Sequence, residues 1–173
     1  MRELKTSYIL TKSETLLLLS SFVDLQPTLP GRYFLEEYLA DSIATEDEVE
    51  GLIFKKLVHK EAGTLIIEPV VELLAKSILF ANRIWIVKCL ETVEPVLIIR
   101  AQRLYLFITS YELTEGAIKI TPFQNTAELR EDKQDEFSIV QITTVSKHGK
   151  QQSIKPDNSF KWLEEEHYGD DFY

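Results

Sequence analysis

The side chains best suited to acid–base, nucleophilic or metal chemistry are three histidines and one cysteine, namely His59, His148, His167 and Cys89. The histidines are far apart in the chain, and none belongs to a metal-binding motif such as H-E-x-x-H. Cys89 lies within a β-rich run, where a thiol is more often buried and inert than nucleophilic. The sequence also lacks G-x-S-x-G, Walker and G-x-G-x-x-G motifs. We therefore expect a protein that is not an enzyme and holds no metal or cofactor.

Acidic residues dominate the charge of the chain. Its 173 residues contain 28 Asp and Glu against 19 Lys and Arg, which gives a formal net charge of −9. Pairs and runs such as Glu36-Glu37 and Glu164-Glu165-Glu166 lie in polar stretches that are typical of a solvated surface. Nucleic acids are bound mainly through basic groups that displace counterions from phosphates, and no basic cluster is apparent here. The composition predicts no nucleic-acid partner.

The N-terminal leucine run, Leu16–Leu19, resembles an export signal but is too short for one. A signal needs an uncharged apolar core of about 7–15 residues, whereas Lys12 and Glu14 adjoin this run. Thr11 and Glu14 instead form a capping-box pattern, which predicts a helix over about 12–23. No apolar stretch approaches the roughly 20 residues of a membrane span. These features, with a single cysteine, favour a cytoplasmic protein that does not insert into membranes.

The rest of the first half has mostly helical spacing. The stretch "LQPTLPGRYF" contains two prolines and a glycine and is expected to form a loop. Apolar residues at helical spacing resume over 33–39, and a second capping box at Thr45–Glu48 predicts the start of another helix. A short strand is expected at Leu65–Ile67, and Pro69 is suited to the first position of a helix that runs to about Ala81.

The second half changes to alternating, β-rich runs. "RIWIVKCL", "PVLIIRA", "RLYLFITSYEL" and "GAIKITP" predict a four-stranded antiparallel meander, and "FSIVQITTVSKH" a fifth strand. "NTAELREDKQDE" between them is expected to form a loop or a short helix. The predicted fold class is α+β, with an N-terminal helical layer packed on a meander of four to five strands. We expect one domain over 1–148, with helices over about 12–81 and the sheet over about 83–147, followed by an acidic flexible tail or docking helix over 149–173.

The predicted meander has apolar side chains on both faces. If Ile84, Leu97 and Leu106 face the helices, the opposite face carries Trp85, Val87, Val96, Ile98, Tyr105, Phe107 and Tyr111. Antiparallel sheets often have polar residues on the face turned away from the core. An aromatic face is therefore either covered by the chain's own tail or helices, or presented to a partner.

Four segments together resemble a known family. They are "LTKSETLLLLSSFVDLQPTLPG", a Glu-rich helix that ends in "KKLV", "GTLIIEPVVELLAKSILFA" and "VLIIRAQRLYLFI". Over about Tyr8 to Pro122 this order resembles the first half of the EspG family of type VII (ESX) secretion chaperones. Mycobacterial members repeat the helix-plus-sheet plan in two halves, whereas this chain has one. It is most similar to the short Firmicutes relatives encoded beside LXG effectors.

The resemblance implies a cytosolic, non-enzymatic chaperone or adaptor that binds the apolar helical tip of a secretion effector and keeps the effector soluble. It places the binding surface on the meander and the turn between its first two strands. Pairing of two copies would rebuild the two-halved body, so the resemblance also implies a homodimer. The implied partner-binding residues are Trp85, Val87, Glu91, Thr92, Val93, Glu94, Val96, Tyr105, Phe107 and Tyr111.

Two other functions remain open from the sequence. The order of elements in the first half is similar to a winged helix, whose third helix enters the major groove of DNA. In this chain that helix would bring Glu46, Asp47, Glu48 and Glu50 to the phosphates, so salt-dependent DNA binding would be needed to favour a transcriptional regulator. The remaining alternative is a structural subunit of a larger complex.

Overall fold

A computed structural model describes residues 6–153 and 157–165 of the chain. The described residues form an α+β fold, in which helices of the first half pack on one face of a seven-stranded antiparallel sheet. A second, smaller layer from the last third of the chain packs on the opposite face. The predicted fold class is confirmed.

The helical layer contains four α-helices in its described part. Thr11 accepts a hydrogen bond from the backbone N–H of Glu14 at 3.0 Å, and the Glu14 carboxylate accepts one from the Thr11 N–H at 2.8 Å. The second capping box, at Thr45 and Glu48, is also present, so both predicted helix starts are confirmed. The helices are α1 (Lys12–Ser20), α2 (Leu29–Tyr33, continued by a π-helical turn over Phe34–Tyr38), α3 (Glu46–Phe54) and α4 (Pro69–Leu79), with a 3₁₀ turn at Val23–Leu25.

The large sheet contains the predicted meander at its centre. Its strands are β1 (Tyr8–Thr11), β4 (Arg83–Cys89), β5 (Val96–Arg100), β6 (Tyr105–Ser110), β7 (Ala117–Phe123), β8 (Ile139–Ser146) and β9 (Gly149–Ser153), and a separate hairpin consists of β2 (Val58–Glu61) and β3 (Thr64–Ile67). The order across the sheet is β1-β7-β6-β5-β4-β8-β9. The predicted fifth strand, β8, therefore pairs with the first strand of the meander and not with its last.

Several local features differ from the expectations. Helix α1 ends at Ser20 and not near Val23, and strand β2 was not predicted. Strand β1, which the sequence pattern did not indicate, pairs with β7 through Tyr8 and Ile120. Residues 149–153, assigned to a tail, form edge strand β9. The prediction of a loop over "LQPTLPGRYF" is wrong, because the Thr28 side chain caps α2 within it and Pro30 fits the first helical turn.

Two glycines allow the helices to pack closely. A methyl group at Gly31 in α2 would overlap the backbone carbonyl of Leu79 in α4, so only glycine permits this approach. A methyl group at Gly51 in α3 would overlap the carboxylate of Glu14, whose side chain is 5% exposed and forms an ion pair with Lys55. The buried Glu14 carboxylate therefore accepts a hydrogen bond at the cap of α1, pairs with Lys55 and occupies the space over Gly51.

Candidate functional site

The aromatic face of the sheet, defined by Trp85, Val87, Val96, Tyr105 and Phe107, is buried. Exposure of these five side chains ranges from 0% for Val87 to 6% for Tyr105. The sequence analysis left open whether this face is covered or presented to a partner. The structure shows the covered alternative, so these five proposed partner-binding residues are not accessible in this conformation.

The cover comes from helix α5 (Thr126–Lys133) and a C-terminal segment, residues 157–165, which ends in the short helix α6 (Trp162–Glu165). Phe160 and Leu163 are 0% exposed. The ring centroid of Phe160 lies 6.2 Å from that of Phe107, and the rings of Trp162 and Trp85 are 6.1 Å apart. The aromatic face and its cover form a second hydrophobic core.

The tail predicted over 149–173 is therefore a strand over 149–153 and a docked segment over 157–165, while 154–156 and 166–173 lie outside the described residues. Polar contacts fix the docked segment at both ends. The amide N–H of Ile139 donates to the side-chain oxygen of Asn158 at 2.8 Å. Within the segment, the indole N–H of Trp162 donates to the carbonyl of Asp157 at 3.0 Å. Arg130 in α5 forms an ion pair with Glu164 at 3.0 Å.

Cys89 is a buried member of this core. Burial, with a smaller effect of the nearby Glu91, raises the pKa of its thiol to about 11. The thiol is therefore protonated at neutral pH, whereas a nucleophilic cysteine needs a lowered pKa. Its sulfur lies 3.7 Å from the carbonyl oxygen of Val87.

The other five predicted partner-binding residues, Glu91, Thr92, Val93, Glu94 and Tyr111, lie together at one end of the sheet. We call this surface the loop end and define it as the β4–β5 loop, residues 90–95, and the β6–β7 loop, residues 111–116. Three large apolar side chains project from it: Val93 is fully exposed, Leu90 is 76% exposed and Leu113 is 83% exposed. The sequence analysis missed Leu90 and Leu113, although an isolated leucine in a charged turn was the available signal.

Two glutamates brace the β4–β5 loop from opposite sides. Both carboxylate oxygens of Glu91 accept from the backbone N–H of Ser138 at 2.8 Å. The Glu94 carboxylate accepts from the Lys12 ammonium at 3.0 Å and from the Ser110 hydroxyl at 2.8 Å. The loop is thus tied to the start of β8, to α1 and to β6, while the side chains of Leu90 and Val93 are exposed to solvent.

The charges of these glutamates follow from their contacts. Hydrogen bonds from Ser138 lower the pKa of Glu91. Burial alone would raise the pKa of Glu94, but the bonds from Lys12 and Ser110 outweigh it and leave that pKa below its usual value. Both side chains are ionised at neutral pH, and because Lys12 pairs with Glu94, the negative charge beside the exposed apolar residues comes mainly from Glu91.

The histidines do not assemble a catalytic or metal centre in the part of the chain that the structure describes. His59 is on the β2–β3 hairpin, with Nδ1 2.7 Å from Glu68 and Nε2 3.2 Å from Glu61. Residues 6–153 and 157–165 contain no group of three His, Cys, Asp or Glu placed to hold a metal ion. His148 lies in the β8–β9 turn, and His167 is outside the described residues.

Among the helices described here, none combines the length and apolar character needed to span a bilayer. Comparison with family models, curated proteins and solved structures finds no match to this chain. The features of the chain that bear on its function are therefore the fold, the covered aromatic face and the loop end.

Proposed function

We propose that this chain is a non-enzymatic binding protein that engages a protein partner through the loop end. The observation that carries the proposal is the exposure of Leu90, Val93 and Leu113 on two neighbouring loops of a braced sheet end. Exposed apolar clusters with a polar border are typical of protein–protein interfaces. A pre-braced loop also loses little conformational entropy on binding.

The charge of the loop end specifies the partner further. Glu91 and Glu94 are joined there by Glu112 and Glu115 in the β6–β7 loop. A complementary partner presents an apolar tip flanked by basic residues, because opposite potentials across an interface favour association. An amphipathic helical tip with this composition satisfies both requirements.

The more specific role that we propose is that of a cytoplasmic chaperone or adaptor for a type VII secretion effector. This step rests on the sequence resemblance to EspG-type chaperones. An apolar helical tip is the feature that such a chaperone shields, and the exposed apolar residues and acidic charge of the loop end suit such a tip. In the same way we propose a homodimer, which light scattering would support by a mass of two chains and contradict by a mass of one chain well above micromolar concentration.

A winged-helix regulator is the second candidate, because hairpin β2–β3 follows α3 as a wing would. The exposed side of α3 is however acidic at Glu46, Asp47 and Glu50. These carboxylates would repel phosphates, so the protein-binding role is better supported. Salt-dependent DNA binding by the purified protein would reverse this order. A structural subunit would bind its complex constitutively and would not affect the solubility of an effector.

Co-expression with a type VII effector of the LXG class, the partner that the sequence resemblance implies, tests the proposal. A double variant with Val93→Asp and Leu113→Asp should bind the effector more than tenfold more weakly, because a hot-spot side chain contributes about 2 kcal/mol or more. Leu25→Asp is the matched control, since Leu25 is also exposed but lies in the 3₁₀ turn before α2, outside the loop end. Equal capture by the double variant and the control would refute a role for the loop end. No effect of the wild-type chain on effector solubility would refute the chaperone role.

A further inference from the structure

An open cavity lies at the end of the sheet opposite the loop end. It is bounded on one side by the C-terminal half of α4 and on the other by the β5–β6 turn, residues 101–104. Its volume is about 660 Å³, within the range of roughly 300–1,000 Å³ that is usual for small-molecule sites. The described residues that line it include none from the loop end, so the cavity is a separate candidate site.

The lining of the cavity is apolar on the side of α4. Leu73 is 53% exposed there, and Phe80 is partly buried against the hydrophobic core between the helices and the sheet. Leu104, at the end of the turn, packs on the same core and also lines the cavity. Because two of these side chains are supported by the core, they offer a preformed surface to an apolar chain or ring.

The charged residues of the cavity are both basic, namely Lys76 and Arg103, and its described lining contains no acidic residue. The Lys76 ammonium lies 2.8 Å from the Glu72 carboxylate and 5.4 Å from the centre of the Phe22 ring, so its charge is already balanced. Arg103 is exposed, and within residues 6–153 and 157–165 its guanidinium makes no ion pair or hydrogen bond. One positive charge is therefore available to a ligand.

The available charge belongs to the turn and not to α4. Gln102 and Arg103 are the central residues of this turn, which a backbone hydrogen bond of 2.9 Å closes between its first and last residues. Asn82 adjoins the turn, because its backbone N–H donates to the carbonyl of Arg100 at 2.8 Å. The side-chain amides of Gln102 and Asn82 also line the cavity and supply further hydrogen-bond donors. This side of the cavity is suited to an anionic group.

The separation of apolar and cationic groups specifies the chemistry of the ligand. A planar guanidinium pairs with a carboxylate through two parallel hydrogen bonds, and one carboxylate matches the one available positive charge. A phosphate monoester, with a charge of about −1.5 to −2 at neutral pH, would exceed it. The C-terminal carbonyls of α4 carry partial negative charge, which also favours the turn for an anion and leaves Leu73 and Phe80 for the apolar part.

We propose that this cavity binds a small amphipathic carboxylate. The carboxylate pairs with Arg103, and the apolar chain or ring lies against Leu73, Phe80 and Leu104. The proposal does not depend on the protein-binding role of the loop end. A ligand at this position contacts both the helical layer and the sheet, so it stabilises the folded chain in proportion to its occupancy.

Titration of the full chain with hexanoate, followed by two-dimensional amide NMR, tests the site. We expect saturable chemical-shift changes centred on Phe80, Gln102, Arg103 and Leu104. Hexanol has the chain without the charge and acetate has the charge without the chain, so each should bind at least tenfold more weakly. Equal affinity for hexanol would overturn the recognition of an anion, and equal affinity for acetate would show an adventitious anion only. Changes centred on the loop end would overturn the location.

Variants at exposed positions test the two parts of the site separately. Arg103→Gln should lower the affinity for hexanoate to that for hexanol, because the charge is lost and the apolar lining remains. Arg32→Gln is the matched control, since it removes the same charge from an exposed arginine of α2 that does not line this cavity. Leu73→Ala should weaken both ligands by a similar severalfold factor. Equal affinities in the two arginine variants, or no effect of Leu73→Ala on either ligand, would overturn the proposal.

Discussion

Substitution of Phe160 by alanine tests whether the C-terminal segment is an integral part of the folded domain. Phe160 is 0% exposed, and its ring lies 6.2 Å from Phe107 and 5.7 Å from Trp162 between centroids. Phe→Ala in a core costs about 3–5 kcal/mol through lost burial and the cavity that remains. A domain of this size has about 5–15 kcal/mol of stability in total, so the loss is readily measured.

The backbone at Phe160 adds a second, independent expectation. Its φ of 60° lies in the left-handed region, which costs a residue with a Cβ about 1–2 kcal/mol and glycine almost nothing. Glycine ordinarily destabilises a folded position by about 0.5–1 kcal/mol relative to alanine. Here we expect the reverse, with Phe160→Gly about 0.5–1 kcal/mol more stable than Phe160→Ala.

Urea unfolding followed by tryptophan emission and by far-UV circular dichroism separates the possible responses. If the segment unfolds with the domain, both signals shift together by about 3 kcal/mol or more. If it detaches on its own, the emission of Trp85 and Trp162 changes at lower urea than the dichroism does. Phe54→Ala is the matched control, since Phe54 is 88% exposed and should change stability by less than about 0.5 kcal/mol. If Phe160→Ala changed the free energy of unfolding as little as Phe54→Ala by both signals, Phe160 would not belong to a second core.

Two further predictions concern the helical layer and the hairpin. Gly51→Ala should destabilise the protein despite a helix-propensity gain of about 1 kcal/mol, because the methyl group displaces the Glu14 carboxylate. In a Glu14→Ala background the same change should stabilise the protein. A change in the free energy of unfolding that has the same sign in both backgrounds would contradict this explanation. The pKa of His59 is raised by hydrogen bonds to Glu68 and then Glu61, so its stabilising effect is complete below about pH 6.5 and lost as the pH rises through the folded-state pKa. An NMR titration in which Glu68→Gln leaves the pKa of His59 unchanged would disprove that cause.

The parts of the fold that sequence reasoning predicted correctly depend on short-range patterns. Each capping box is a contact between residues three apart, as for Thr11 and Glu14, and the strands of the meander show clear alternation. Strands β1 and β9 depend instead on partners elsewhere in the sheet. The polar sequence of Gly149–Ser153 forms a strand only because β8 is there to pair with it, and no local pattern indicates this.

The same difference between short-range patterns and long-range contacts applies to the candidate site. Alternation correctly placed Trp85, Val96 and Phe107 on one face, but it could not identify what covers that face. The cover is built from a few isolated apolar residues, such as Phe160 and Leu163, in a stretch whose mean composition is polar and acidic. The mean composition of the stretch does not reveal these apolar residues, whereas their energetic effect depends on their burial in the folded chain.

The covering of both faces restricts how a partner can bind without unfolding part of the domain. The helices occupy one face, and α5 with the C-terminal segment occupies the other. At the β9 edge, Lys150 forms an ion pair with Glu37, and a charged, polar edge strand is a poor template for strand addition. The loop end is a third surface, on which Leu90, Val93 and Leu113 are exposed and the β4–β5 backbone is braced by Glu91 and Glu94. Under the binding role that we propose, a partner of the native domain contacts this end without displacing either covering layer.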